Sequence, residues 1–187
     1  NEKIKYLSED LALVYKRYKL KNKDIIIQTV GSWQHNPSSI VGKVVRVPPN
    51  LSGALLNQNA VKIIPNKIID QNFLYYRLKE NNFKFHNLNN AQGAANQASI
   101  TLSSIKLFKF KLPSILTQKK IAKILLTYDD LIYNNIKRIE LLEEAGRLIY
   151  EDWFLNFKID GKKLQINKTT NLPLGWENKS ITKFNSF

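Results

Sequence analysis

The sequence predicts an α+β fold, in which a globular domain with a small twisted β-sheet and helices is followed by a long coiled-coil helix. Over the first 113 residues, short β-branched runs alternate with Gly, Pro and Asn, which is typical of short strands joined by turns. No Pro occurs between Pro113 and Pro173, and a helical apolar pattern runs from Leu116 to Phe157. We therefore expect a globular domain at 1–113, a long helix at 114–158, and a linker with the start of a further unit at 159–187.

The globular part contains helical signals among its predicted strands. Ser8, followed by Glu9 and Asp10, predicts a helical turn at 11–15, because acidic residues favour the start of a helix. Asp70 is placed to cap a helix at 71–80, whose apolar residues share one face. The predicted strands are 24–30, 40–47, 60–64, 99–103 and 105–111.

The positive charge of the chain is concentrated outside the long helix. The formal net charge is +14. Residues 1–116 hold 17 Lys and Arg against 6 Asp and Glu, a balance of +11, whereas residues 117–157 hold 6 against 7. A polyanion partner for the globular part follows as a hypothesis. An AT-rich genome also explains abundant Lys, Asn and Ile, but it does not explain why the helix lacks the excess of positive charge.

Basic side chains interleaved with Tyr18 and Leu20 form a cluster near the start of the sequence. We interpret residues 16–23 either as a solvated edge strand or as a strand that faces phosphates. The predicted phosphate contacts are Lys16, Arg17, Lys19, Lys21 and Arg46.

Two polar stretches carry side chains that can read base edges. The loop 31–39 (GSWQHNPSS) follows a predicted strand, and 83–99 is rich in small residues and amides. Asn and Gln can read adenine in a major groove, and a large apolar side chain can wedge between base steps. The alternative is an ordinary surface loop with its tryptophan packed beneath it. The predicted base contacts are Trp33, Gln34, His35, Asn36, Gln92, Asn96 and Gln97.

The long helix carries an apolar seam with a mean spacing of 3.5 residues, which indicates a coiled coil. Such a seam needs a second helix, either in this chain or in another molecule. Asn135 lies mid-seam, where a buried amide tends to fix register and partner number. The alternative is a long core helix of one globular domain. The seam positions are Ile121, Leu125, Tyr128, Ile132, Asn135, Ile139, Leu142, Gly146, Ile149 and Trp153.

Several functional classes are disfavoured by residues that the sequence lacks. There is no cysteine, and His35 and His86 are the two histidines, so a thiolate or histidine metal centre is not expected. Motifs of the GxGxxG, GxxxxGK[ST], GxSxG and Asn-Pro-Pro-aromatic types are missing. The acidic pairs at 129–130 and 143–144 flank the seam and are interpreted as solvated. We expect a cytoplasmic protein with no membrane partner, no catalytic activity and no cofactor in this chain.

The combination of the helix with several upstream stretches resembles the specificity subunits of type I restriction–modification enzymes. The helical part of this resemblance is carried by Leu112-Pro113, Gln118 to Leu125, Asp129 to Ile132, Asn134-Asn135 and Trp153-Phe154. The upstream part is carried by Lys23 to Ile27, Asn57 to Pro65, Asp70 to Leu78 and Gly93 to Ser99, and the segment Leu172 to Trp176 looks like the start of a second recognition domain.

The resemblance implies a role in DNA recognition. In the family, two target recognition domains each read half of a split DNA site, and two long helices pair as an antiparallel coiled coil. Modification (DNA methyltransferase) subunits dock there and methylate adenine N6 with S-adenosylmethionine, and a restriction subunit can join. The specificity subunit itself is not an enzyme. Double-stranded DNA and modification subunits are therefore the expected partners.

The sequence departs from the family pattern, because the first recognition domain lacks its expected opening and one long helix is present. Two interpretations stay open: a fragment of a longer subunit, or a half-subunit that works as a homodimer through the helix. A rival hypothesis is a truncated interaction module that binds modification or specificity subunits through the coiled-coil helix and does not read DNA.

Overall fold

The computed structural model describes residues 6–33, 36, 39–94 and 96–180. The chain divides into two compact units, 1–128 and 129–187, with the boundary inside the longest helix. The helices are α1 (Glu9–Val14), α2 (Gln71–Lys79), α3 (Asn81–Asn89), α4 (Leu102–Leu107) and α5 (Ile115–Tyr150). The strands are β1 (Ile25–Gln28), β2 (Val30–Gly31), β3 (Val44–Arg46), β4 (Ala60–Ile63), β5 (Gln92–Ala94), β6 (Gln97–Ser99), β7 (Lys158–Ile159) and β8 (Lys162–Lys163). These elements confirm the predicted α+β class.

The first sheet has the order β3-β1-β4, and both pairings are antiparallel. Side chains alternate between the two faces of a strand, so Ile25 and Ile27 are fully buried while Ile26 and Gln28 point to the other face. The register pairs Ile26 with Val45 and Gln28 with Ala60. The face that carries Ile26 and Gln28 is therefore available to a ligand.

The second sheet has the order β2-β6-β5, also antiparallel. β2 continues the chain almost directly from β1, so the two sheets share one stretch of backbone. The register pairs Gly31 with Ala98 and Gly93 with Ala98. Strand β6 thus carries Ala98, which is fully buried, between two glycines on neighbouring strands.

The core of the first unit lies between the buried face of the first sheet and α2 and α3. Asp70 caps α2 as predicted, because its Oδ1 accepts a hydrogen bond of 2.9 Å from the Phe73 amide. Phe108 and Phe110 pack against this core from the segment that follows α4. The buried cluster comprises Ile25, Ile27, Val41, Leu74, Tyr75, Leu78, Phe83, Ala98 and Ile100.

Three local predictions were wrong. Residues 16–23 contain a 3₁₀ helix at Lys16–Tyr18 and no strand. The strands predicted at 99–103 and 105–111 do not form, apart from Ser99 at the end of β6. Helix α4 occupies Leu102–Leu107 instead, because the Thr101 hydroxyl accepts from the Ser104 amide at 3.1 Å and so caps a helix. Residues 108–114 follow without helix or strand. The first residues of the amide-rich stretch 83–99 belong to helix α3, which the sequence pattern did not predict.

The predicted long helix is confirmed. α5 has 36 residues, about 54 Å at 1.5 Å per residue, and a π-helix (Glu151–Leu155) continues it. The Ser114 hydroxyl accepts from the Thr117 amide at 3.3 Å, as expected of a cap.

None of the described helices combines the length and hydropathy that a membrane span requires.

The second unit contains a hairpin after the π-helix. β7 and β8 are joined by Asp160 and Gly161, whose positive φ angles of 50° and 73° are those that a two-residue hairpin turn requires. The Trp176 ring packs against Phe154 and Phe157, with centroids 5.7 and 5.8 Å away. Through Trp176, the segment 172–176 therefore contacts the π-helix and the residues directly after it.

Candidate nucleic-acid interface

An open groove of about 750 Å³ lies in the first unit over the outward face of the first sheet. Ile26, Gln28, Val45 and Ala60 belong to its floor. We call it the amide groove, because six carboxamide side chains line it: Gln28, Asn36, Asn57, Asn59, Asn96 and Gln97. Such groups both donate and accept hydrogen bonds, and a concave surface rich in them suits ligands with mixed polar edges.

The two ends of the loop after β2 are joined by backbone hydrogen bonds. Ser32 donates its amide to the Ser39 carbonyl at 2.7 Å, and Val41 donates to the Ser32 carbonyl at 2.9 Å. Gly31 permits this close approach, since a Cβ there would lie 2.3 Å from the Ser39 oxygen. Asn36 is thereby placed on the rim of the amide groove.

The β5–β6 hairpin supplies the opposite amides. Gly93 has a φ of 146°, and a Cβ there would lie 2.1 Å from the Gln97 carbonyl oxygen. Glycine is therefore required for the hairpin to close in this form. The hairpin presents Asn96 and Gln97 to the amide groove.

The predicted base-contact residues do not all gather in one place. Asn36, Asn96 and Gln97 line the amide groove. Trp33 is half-buried and packs against the core, while its indole Nε1 donates to the Ala94 carbonyl at 2.9 Å. Gln92 is exposed on β5 and does not line the groove. Gln34 and His35 lie outside the described residues.

A family comparison bears on what this groove binds. The family model described as "Type I restriction modification DNA specificity domain" matches residues 2–144 of the chain. The chain belongs to this family. The match covers all described elements of the first unit, including both sheets and the amide groove, and extends into α5 up to residue 144.

Three proteins of Methanocaldococcus jannaschii are similar to this specificity domain. The putative type I restriction enzyme MjaX specificity subunit is 31% identical over 174 residues, which cover 90% of the chain and 38% of that subunit. The type I restriction enzyme MjaIX specificity subunit is 30% identical over 128 residues, which cover 67% of the chain and 29% of that subunit. The type I restriction enzyme MjaVIII specificity subunit is 27% identical over 173 residues, which cover 92% of the chain and 39% of that subunit. The chain thus spans less than two fifths of each relative's length.

Sequence reasoning did not assign three groove amides of the specificity domain. Asn57 and Asn59 lie just before β4, and their sequence signal was the amide triplet 57–59. Asn57 stabilises this turn, because its Oδ1 accepts from the Asn59 amide at 3.0 Å. Gln28 ends β1, and its Nε2 donates to the Val30 carbonyl at 2.9 Å. Gln28 and Asn57 therefore use part of their hydrogen-bonding capacity within the protein, where it stabilises the wall of the groove.

Three of the six groove amides have the full hydrogen-bonding capacity of their side chains available. The side chains of Asn59, Asn96 and Gln97 are exposed and, within the part of the chain that the structure describes, accept or donate no hydrogen bond. A carboxamide offers one donor and one acceptor side by side, which matches the N6 and N7 positions of adenine in a major groove. These three side chains are therefore the groove amides that keep both a donor and an acceptor available to a ligand.

The predicted phosphate contacts are distributed over the first unit. Lys16 and Lys19 line a separate groove beside α1. The Arg17 guanidinium lies 4.6 Å from the centre of the Tyr18 ring. Lys21 is exposed at a turn closed by its amide and Asp24 Oδ2. Arg46 ends β3 and donates from one Nη to Asn72 Oδ1 at 3.4 Å.

The seam of α5 lies on the surface. Leu125 is half-buried, and the other nine seam positions named above are exposed. Leu142 is 72% exposed and Ile132 is 57% exposed, values that are unusual for large apolar residues that recur at helical spacing. Among the described residues, the side chains that α5 buries are Gln118 and Ala122, close to its start.

No group of three or more His, Asp or Glu side chains in the described ranges is arranged to hold a metal ion. The groove chemistry of the specificity domain rests on amides, hydroxyls and cations.

Proposed function

We propose that this specificity domain binds double-stranded DNA and reads base edges with the amide groove. The single observation that carries the proposal is the convergence of the side chains of Asn59, Asn96 and Gln97, from two separate segments of the chain. Among the described residues, none of these three side chains takes part in an intramolecular hydrogen bond. Exposed amides that converge on one concave surface are suited to direct readout of bases. Family membership supports the same activity, because the matching model is described as a DNA specificity domain.

The proposal predicts a specific pattern for alanine variants. Asn96→Ala and Gln97→Ala should each relax the preference at particular base positions, with a discrimination loss of about 1–3 kcal/mol per lost contact. The measurement is selection of bound duplexes from a randomised pool, followed by affinity titration. Gln58→Ala is the matched control: it is also an exposed amide, but it lines a different groove from its neighbour Asn59. Equal weakening on every sequence would mean that Asn96 and Gln97 do not read bases.

The seam of α5 pairs, in this proposal, with the same helix of a second copy of the chain. Support comes from its exposed apolar positions and from the near balance of charges along the helix, 6 basic against 7 acidic over residues 117–157. An antiparallel two-fold pair presents two identical recognition domains, so the DNA site would be a split palindrome. Light scattering across micromolar concentrations tests this, and a monomer throughout would contradict it.

The wider assembly follows the roles of type I specificity subunits. We propose that modification subunits dock on the paired helices and use S-adenosylmethionine to methylate adenine N6, with a restriction subunit as a further partner in the cytoplasm. The specificity domain supplies recognition and no catalysis. Co-purification with a modification subunit, and methylation that depends on the selected duplex, would support this assignment.

A second candidate function is an interaction module that binds modification or specificity subunits through α5 without reading DNA. The exposed seam favours it independently of the amide groove. The two functions predict different DNA binding. If the chain binds a selected duplex more tightly than a random duplex near physiological salt, the result supports DNA recognition. Absence of any sequence preference, together with stable helix pairing, would support the interaction module.

A further inference from the structure

A second groove, of about 520 Å³, runs along β3 on the side of α2 and α3. Four cationic side chains line it: Lys43, Arg46, Lys79 and Lys84. We call it the cationic groove. None of the described residues that line it is acidic. Lys79 and Lys84 are exposed, so their side chains can be reached by a ligand from solvent.

One buried ring positions two of these cations. Tyr75 is 8% exposed and belongs to the core. The Arg46 guanidinium lies 4.6 Å from the centre of its ring, and the Lys79 ammonium lies 5.4 Å from it. Both distances are within the range of cation–π attraction. Two positive charges are therefore held near one ring, an arrangement that a bound anion would stabilise.

The cationic groove and the amide groove meet at the edge strand β3. Lys43 and Val45 line both of them. The register explains the division, because Val45 pairs with Ile26 on the face of the amide groove, whereas Arg46 pairs with the buried Ile25 and faces Tyr75. A ligand that fits both grooves would have polar edges against the side chains of the amide groove and negative charge against the cations of the cationic groove.

We infer that the cationic groove holds the sugar-phosphate backbone of the duplex whose bases the amide groove reads. This inference rests on the proposed function. The phosphates of a duplex border its major groove, so a protein that reads base edges meets the backbone alongside them. Lys43 stands between the two contacts, and Lys79 and Lys84 extend the phosphate contact along the helices. The sequence pattern did not assign Lys43, Lys79 or Lys84 to this role.

The experiment measures how the affinity for a selected duplex and for a random duplex depends on salt. Each lost phosphate contact reduces the slope of log affinity against log salt by about 0.9. We expect this reduction for Lys79→Ala and for Lys84→Ala on both duplexes, with an unchanged order of preferred sequences. Lys106→Ala, an exposed lysine that lines neither groove, is the matched control and should leave the slope unchanged.

The outcomes separate this inference from the proposed function. An unchanged slope in Lys79→Ala and Lys84→Ala, while the parent chain still prefers one sequence, would overturn the inference and leave base reading intact. A reduced slope in a parent chain that shows no sequence preference would support the cationic groove as a phosphate site and contradict base reading. Circular dichroism melting of each variant, with an unchanged midpoint, ensures that the slope reports binding.

Discussion

The indole Nε1 of Trp33 donates a hydrogen bond to the carbonyl oxygen of Ala94 over 2.9 Å, across 61 positions of sequence. This bond links the loop after β2 to the β5–β6 hairpin. Asn36 lies shortly after Trp33 in the sequence, and Asn96 lies shortly after Ala94. Asn36 and Asn96 both line the amide groove. Trp33 thus connects the two segments that carry these amides, while its ring packs against the core.

Replacing Trp33 by Phe should therefore weaken specific DNA binding more than it weakens the fold. Phe keeps an aromatic ring against the core but leaves the Ala94 carbonyl without its indole donor. We expect the free energy of unfolding to fall by about 0.5–1.5 kcal/mol for the lost hydrogen bond, in addition to a smaller packing loss. Urea unfolding and titration with the selected duplex are the measurements. Trp176→Phe, in the second unit, is the control, and its sequence preference should match that of the parent chain.

Gly93 provides a sharper test of the hairpin. Gly93→Ala places a Cβ 2.1 Å from the Gln97 carbonyl oxygen and keeps φ at 146°, a region that L-residues rarely adopt. We expect a loss of at least about 1–3 kcal/mol of stability, and a displaced hairpin that no longer presents Asn96 and Gln97. Thermal unfolding and duplex selection report the two effects.

Gly146→Ala is the natural contrast to Gly93→Ala. A Cβ at Gly146 meets nothing within 4 Å, and the backbone there is helical. Alanine should raise helix stability by about 0.8–1 kcal/mol, because glycine has the lower helix propensity. Two glycine substitutions of the same size should thus change stability in opposite directions. Destabilisation by Gly146→Ala would contradict the open helical position described for Gly146, and unchanged stability in Gly93→Ala would contradict the account of Gly93.

Gln118 anchors the start of α5 within the first unit. Its side chain is 1% exposed and makes three hydrogen bonds. Oε1 accepts from the Asp70 amide at 2.8 Å, and Nε2 donates to the carbonyls of Ile68 and Pro113 at 3.0 and 2.8 Å. The amide therefore connects the cap of α2 to the first turn of the long helix.

Gln118→Leu should be strongly destabilising. The leucine is close in volume but leaves one buried amide and two carbonyls without partners, at a cost of about 1–3 kcal/mol for each group that water cannot reach. We expect a total loss of at least about 2 kcal/mol in urea unfolding. The exposed neighbour Lys119→Leu is the control and should change stability by less than about 0.5 kcal/mol. Equal effects of the two substitutions would contradict the anchoring role.

Elements set by local sequence were predictable. Strand β1 follows from its run of isoleucines, α2 from the Asp70 cap, and α5 from an uninterrupted apolar period. The exceptions have local causes as well. The alternation of 105–111 looks like a strand, but the Thr101 cap starts a helix, and Phe108 and Phe110 reach the core from a segment without strand partners among described residues.

The candidate site was predictable only in part, because residue chemistry indicates what a side chain can do and not which surface it shares. Asn36, Asn96 and Gln97 were predicted from their chemistry and share the amide groove, and their contact with bases stays a prediction. Asn59 joins them only through the pairing of β4 with β1. Lys79 and Lys84 reach Lys43 only once α2 and α3 pack beside β3, and no local pattern encodes that packing.

Asn135 offers a test of how the seam of α5 pairs. Replacing it by Leu should strengthen association of the chain, because a polar residue in a coiled-coil seam defines register and orientation at a cost in stability. We expect a dimer tighter by about tenfold, which corresponds to ~1.4 kcal/mol, measured by sedimentation equilibrium. Asn134→Leu, the adjacent exposed asparagine outside the seam, is the control and should not tighten the dimer.

Orientation can be followed in the same variants because the chain contains no cysteine. A single Ile121→Cys forms an interchain disulfide readily across a parallel pair, where the two copies of position 121 meet, and poorly across an antiparallel pair. With Asn135 present, we expect little cross-linking; with Asn135→Leu, we expect more, because the amide no longer selects one orientation. Efficient cross-linking with Asn135 in place would contradict antiparallel pairing, and with it the split palindrome.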